Sequence, residues 1–185
     1  MEAVIIVGAV VIIALIAWGV VAWTEKANKK YQELWSAVAG TVNGTVKGNS
    51  LTGTYNGVPV QARINAVSDD NSSTYYCEIT LSPGAQGKDW SLSYSGEKLL
   101  GTGAKSWQIK TKDNALKQRL AEAGALAAMQ NWPVYPEVIY KSGRGSLKYE
   151  EVVGGMYAVP DAPEFQARLE LLARLAEINK QVNTA

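Results

Sequence analysis

The stretch AVIIVGAVVIIALIAWGVVAW, residues 3–23, decides how the rest of the chain is read. It holds no charge and no proline, only Ala, Gly, Val, Ile, Leu and two Trp. As a helix rising 1.5 Å per residue it would be about 31 Å long, the thickness of a bilayer's hydrocarbon core. Val and Ile are modest helix formers in water. In lipid this matters little, because a helix lets a single segment satisfy all of its own backbone N–H and C=O groups. Trp18 and Trp23 lie toward one end, where indoles favour the headgroup layer. Residues 1–23 are therefore expected to be a transmembrane anchor. A cleaved signal peptide would start with basic residues and carry a shorter apolar core. Here the acidic Glu2 precedes a run that is too long, with no Ala-x-Ala pattern after it.

The flanks set the orientation. Lys26, Lys29 and Lys30 follow the run closely, and no Lys or Arg precedes it. Lys and Arg near a span mark the cytoplasmic side, so the expectation is a single pass through the inner (cell) membrane with the N-terminus outside. The C-terminal domain then faces the cytoplasm. A lone Cys77 agrees, since it has no partner for an intramolecular disulfide.

Residues 24–40, TEKANKKYQELWSAVAG, continue without Pro or an internal Gly, so one helix should run on out of the membrane. Ala27, Tyr31, Leu34, Trp35 and Val38 fall on one face at helical spacing, and Gly40 is a stop signal. That apolar face needs cover from the domain's own sheet, from lipid or from another subunit. Tyr31, Leu34, Trp35 and Val38 are accordingly candidate partner contacts as well as candidate core, and Trp18, Trp23, Lys26, Lys29 and Lys30 are the expected membrane-interface residues.

From residue 41 the period changes to two. Asn56-Gly57 between Ser50–Tyr55 and Val58–Val67 is a strong hairpin signal. Tyr75, Cys77, Ile79 and Leu81 alternate with Tyr76, Glu78 and Thr80; Trp90, Leu92 and Tyr94 alternate with serines, and Trp107 and Ile109 with Gln108 and Lys110. Such alternation belongs to antiparallel strands with one dry and one wet face. Thr111 or Asp113 can cap a helix to about Gln130, with Leu116, Leu120, Ala123, Leu126 and Ala127 inward. Trp132-Pro133 and Pro136 end it. Glu137–Lys141 and Leu147–Glu151 pair around Ser142-Gly143-Arg144-Gly145. The last helix opens on Asp161 with Glu164 three residues on, a capping-box start. Its Glu164–Arg168 and Glu170–Arg174 pairs should solvate the outer face. The fold class expected is α+β: a single N-terminal transmembrane helix, then an antiparallel sheet packed on one face by helices, with residues 41–185 as one domain.

Chemistry is hard to find. Net charge is +1, with 18 bases and 17 acids interspersed, so no basic stripe invites nucleic acid. The chain has no His, which removes the usual general base and metal ligand. Leu100-Gly101-Thr102-Gly103-Ala104-Lys105-Ser106 departs from a phosphate loop because Ala104 separates Gly from Lys and a strand follows. Cys77 sits on the dry face with nothing to activate it. Asp69-Asp70-Asn71 lacks the spacing of a Ca²⁺ loop, and Glu150-Glu151 reads as a strand edge. The anchor carries no charge for an ion path and no Gly-x-x-x-Gly seam.

These absences imply a non-catalytic accessory or structural subunit of a larger integral membrane complex, needing no cofactor or metal. Its partners would be other membrane subunits and the bilayer. Energy-transducing complexes, respiratory or photosynthetic, commonly hold single-span subunits, and the layout is similar to that of many single-anchor bacterial proteins. The alternative is a membrane-tethered ligand- or peptide-binding module with an apolar pocket between its C-terminal helix and the Trp90/Tyr94 face.

Overall fold

The structure, a computed structural model, describes residues 2–70, 72–85, 87–96, 105–122, 124, 129 and 136–183, with side chains in the first helix from Leu15 onward. That helix, α1 (Glu2–Ala39), is unbroken across the junction between the apolar run and the lysine-rich segment. At the junction the Thr24 hydroxyl donates to the Val20 carbonyl at 2.8 Å, a bond back to its own helix. A short 3₁₀ turn (Gly40–Val42) leads into β1 (Thr45–Lys47), β2 (Ser50–Tyr55), β3 (Val58–Ser68) and β4 (Ser73–Leu81). Next come β5 (Trp90–Gly96), β6 (Lys105–Thr111), α2 (Asn114–Glu122), β7 (Glu137–Lys141), β8 (Ser146–Val153) and α3 (Ala162–Asn183).

All eight strands join one antiparallel sheet in the order β1-β2-β3-β4-β8-β7-β5-β6. The first four form a meander, and β5–β6 form a separate hairpin. The β7–β8 hairpin then fills the gap between them. The α+β architecture is thus as the alternation implies. One strand escapes that reading, because β1 has only three residues and is too short to show a period.

Local chemistry explains the turns. Asn56 and Gly57 both have positive φ (50° and 78°), as a tight hairpin with two left-handed residues requires. Asp113 caps α2 by accepting from the Leu116 N–H at 3.1 Å, and Asp161 caps α3 by accepting from the Glu164 N–H at 2.8 Å. The Glu164 carboxylate accepts from the Asp161 N–H at 3.4 Å, closing the capping box. The expected continuation of α2 through Ala123, Leu126, Ala127 and Gln130, the Trp132-Pro133 stop and the 100–104 turn lie outside the described residues.

The β4–β5 connection has to pass the end of the inserted hairpin, and it does so at close range. The Gly84 N–H donates to the Gly145 carbonyl at 3.1 Å, and the Tyr140 hydroxyl donates to the Gly84 carbonyl at 3.2 Å. Gly145 has φ 57°, and a Cβ there would overlap the Gly84 carbonyl carbon. Only glycine fits both demands. Asp89 closes the crossing, accepting from the Ser142 N–H at 2.9 Å and its hydroxyl at 2.8 Å.

The core lies between the sheet's dry face and the helices. Leu51, Ala62, Ile64, Cys77, Ile79, Leu81, Leu147 and Tyr149 face α1 and α3, which bring Tyr31, Trp35, Val38, Phe165, Leu169 and Leu172. Trp35 is fully buried, meets Phe165 edge-on at 6.0 Å, and donates its indole N–H to the Asn49 carbonyl at 3.1 Å. The Asn49 side-chain amide in turn donates to the Ile64 carbonyl at 3.1 Å. One residue thereby ties α1 to the β1–β2 turn, to β3 and to α3.

Among the described residues no helix is long and apolar enough to cross a membrane. Most of the 3–23 run precedes Leu15 and lies outside the described side chains. The transmembrane part of the expected fold is therefore not carried by the described residues.

Candidate functional site

The described part of the apolar run projects from the domain. Leu15, Ile16, Trp18, Val20, Val21 and Trp23 are all exposed, Trp18 at 72% and Trp23 at 61%. Lys26, Lys29 and Lys30 are exposed just beyond them. Of the three, Lys30 pairs with Glu33 at 3.7 Å on the same helix. Among the described side chains of α1, the first that the domain buries is Ala27.

The candidate partner face has an internal use. Tyr31, Trp35 and Val38 are buried against the chain's own sheet and α3, and Leu34 is half-buried. Hydrophobic burial drives this, since an amphipathic helix beside an open sheet face removes both apolar surfaces from water at once. In this conformation those three side chains are closed to another subunit. The exposed large apolar side chains among the described residues lie elsewhere, on α1 up to Trp23 and at Val67, Val152 and Tyr157.

Three loops gather at the end of the domain where α1 leaves. The Tyr31 ring sits 5.2 Å from Tyr157, in the loop after β8. Burial, then the neighbouring Tyr157 and Tyr75 hydroxyls, raise the Tyr31 pKa. A Cβ on Gly48, in the β1–β2 turn, would lie 3.7 Å from the Asn28 side-chain oxygen. The β3–β4 tip is the third loop. It is closed by the Ser72 N–H donating to an Asp69 carboxylate oxygen at 2.7 Å and by the Asp69 N–H donating to the Ser72 carbonyl at 2.9 Å.

Two ionic clusters flank the centre of the sheet. On the wet face Glu78 is nearly enclosed: Arg63 binds it at 2.7 Å and Lys148 at 3.1 Å, while the Asn65 amide donates at 3.2 Å. Burial alone would raise the Glu78 pKa. The bonds from Arg63 and Lys148 outweigh it and hold the carboxyl below its usual value. Lys148 also reaches Glu150 at 2.5 Å, and its pKa is raised by these carboxylates despite partial burial.

The second cluster corrects two readings. Glu151 is not a strand edge: it follows Leu147 and Tyr149 on the dry face of a central strand and is buried. Arg168 does not solvate the outer face of α3. It turns inward to bind Glu151 at 2.6 Å, with Glu164 at 3.6 Å as a lesser partner. The Tyr149 hydroxyl donates to the other Glu151 oxygen at 2.6 Å. Burial works against the Arg168 charge, yet Glu151 and Tyr149 keep its pKa above the ordinary value. Burial, then Glu151, raise that of Tyr149. An open cleft of about 250 Å³ borders this network beside Gly154, Val159 and Pro160.

Cys77 lies opposite Glu151 in the β4–β8 register and is fully buried. Burial foremost, with Glu151 adding to it, pushes its thiol pKa up to about 12, the reverse of an activated nucleophile. Among the described residues no group of three or more His, Cys, Asp or Glu is placed to hold a metal ion. The Trp90/Tyr94 face, where the binding-module alternative puts its pocket, carries ring contacts: Trp90 stacks on Tyr140 at 6.2 Å and Tyr94 meets Trp107 edge-on at 5.3 Å. A cleft of about 320 Å³ lies between the β2–β3 turn and α3, lined by Tyr55, Asn56, Leu81, Pro83, Ala176 and Lys180.

No family model, no curated protein and no solved structure matches this chain.

Proposed function

We propose that the chain is a single-span, membrane-anchored accessory subunit without catalytic activity, whose α+β domain faces the cytoplasm and braces neighbouring membrane subunits. The observation that carries this reading is the unbroken α1, gripped by the domain core from Ala27 to Val38 and sheathed in exposed apolar side chains from Leu15 to Trp23. Water does not favour such a rod; lipid or a helix bundle does. Residues 3–14 extend the same uncharged run to a bilayer's thickness. The unactivated Cys77 and the paired carboxylates Glu78 and Glu151 favour a structural role over chemistry.

A binding module is the second reading, and the cleft between the β2–β3 turn and α3 favours it. Purification from native membranes in mild detergent separates the two. Membrane proteins recovered in constant stoichiometry support the subunit. A monomer carrying a small molecule, with no companions, would overturn it in favour of the module.

A further inference from the structure

Nine large apolar side chains stand out as exposed among the described residues, and their distribution is one-sided. Six line α1 from Leu15 to Trp23. The other three, Val67 at 55%, Val152 at 47% and Tyr157 at 36%, all lie at the end of the domain where α1 leaves. Val67 is the penultimate residue of β3, beside the β3–β4 tip, and Val152 is the penultimate residue of β8. Tyr76, paired in register with both Asn65 and Val152, bridges the space between them on the wet face. Tyr157 completes the ring on the helix side, against Tyr31.

The helix fixes how far this rim can stand from lipid. Between Trp23, the last residue of the apolar run, and Ala27, the first that the domain buries, α1 advances four residues, about 6 Å. The polar layer on each side of a bilayer core is about 5–8 Å deep. No linker intervenes, and Trp35 holds the helix to the sheet. An anchored α1 therefore presses this end of the domain into the headgroups. Lys26, Lys29 and Lys30 sit on the same level and suit anionic lipid. Asp69 and Asp70 at the β3–β4 tip are acidic and exposed, which keeps the tip itself in the hydrated part of that layer.

We infer that the rim formed by Val67, Val152 and Tyr157 is a second membrane contact, seated on the bilayer interface beside the anchor. It rests on the anchor reading and extends it: the domain does not swing on a tether but stands on lipid in one fixed pose.

The test uses the full chain in nanodiscs of mixed phosphatidylcholine and phosphatidylglycerol. Single fluorophores are placed at I16C, V67C, V152C and T54C, with spin-labelled lipids as quenchers. Cys77 is buried and stays unlabelled, which the unsubstituted chain verifies. Thr54 is exposed at the opposite end of the sheet, beside the Asn56-Gly57 turn. The expected result is loss of emission at I16C to acyl-chain labels and at V67C and V152C to headgroup labels, with T54C unchanged. Loss at I16C with V67C and V152C as bright as T54C would overturn the rim while leaving the anchor. No loss at any site would overturn both.

Discussion

The Trp35 indole N–H and the Asn49 carbonyl, 3.1 Å apart, join the helix that leaves the domain to the turn between β1 and β2. Because Asn49 also holds Ile64, this contact sets the angle at which α1 exits. Trp35→Ala removes a fully buried side chain and the bond together, and should cost about 3–5 kcal/mol. Trp35→Phe keeps most of the volume and should cost markedly less. Thermal unfolding in mild detergent, followed by tyrosine and tryptophan fluorescence, ranks the two; equal losses would show that the hydrogen bond, absent from both variants, outweighs the filled volume.

Arg168 and Glu151 form a charge pair shielded from water, with side chains 12% and 6% exposed. Removing one charge strands the other in a low dielectric. Arg168→Met should therefore destabilise the domain by about 3–5 kcal/mol. Replacing the whole network by Y149F, E151L and R168M should restore most of that loss, since neither charge is then left buried without its partner. Urea titration of the two variants checks the ordering.

Gly145→Ala should destabilise by more than about 1 kcal/mol, because an L side chain there is strained at positive φ and would meet the Gly84 backbone. Gly143, two residues earlier, has open space where a Cβ would stand and no positive φ. Gly143→Ala should stay within about 0.5 kcal/mol of the parent. Urea midpoints for both variants provide the check, and similar losses would argue against the crossing of the two loops.

Glu78 gives a pH dependence with a definite sign. Its pKa is lowered in the folded protein, so its ion pairs with Arg63 and Lys148 contribute above the ordinary value of 4.5. That contribution is lost as pH falls through the lower folded value. The stability gap between the parent and Glu78→Gln should be full at neutral pH and shrink in acid below pH 4.5. Denaturant midpoints measured across that range follow it; a gap that widened in acid would contradict the assignment.

Much of the domain is legible in the residues because its signals are local. Asn56-Gly57 sets one hairpin, Asp113 and Asp161 cap two helices, and the alternation from Tyr75 to Leu81 assigns faces that the structure keeps. What escaped is non-local. Nothing near β7–β8 says that this hairpin inserts between β4 and β5, since strand order depends on which edges meet after collapse. The inward turn of Arg168 is similar: its i, i+4 relation to Glu164 is visible in the sequence, whereas Glu151 comes from a strand 17 residues away. The parity of Leu147, Tyr149 and Glu151 was the available clue that Glu151 faces the core. The end-of-domain rim needed the fold as well, because Val67, Val152 and Tyr157 come from three separate segments.

In the proposed role, lipid holds the N-terminal part of α1 and the domain is fixed to it. Membranes from cells expressing the full chain, washed in alkaline carbonate and floated on a density gradient, test it most directly. The intact chain should stay with the floated vesicles at every wash. Recovery of the intact chain in the soluble fraction would contradict it.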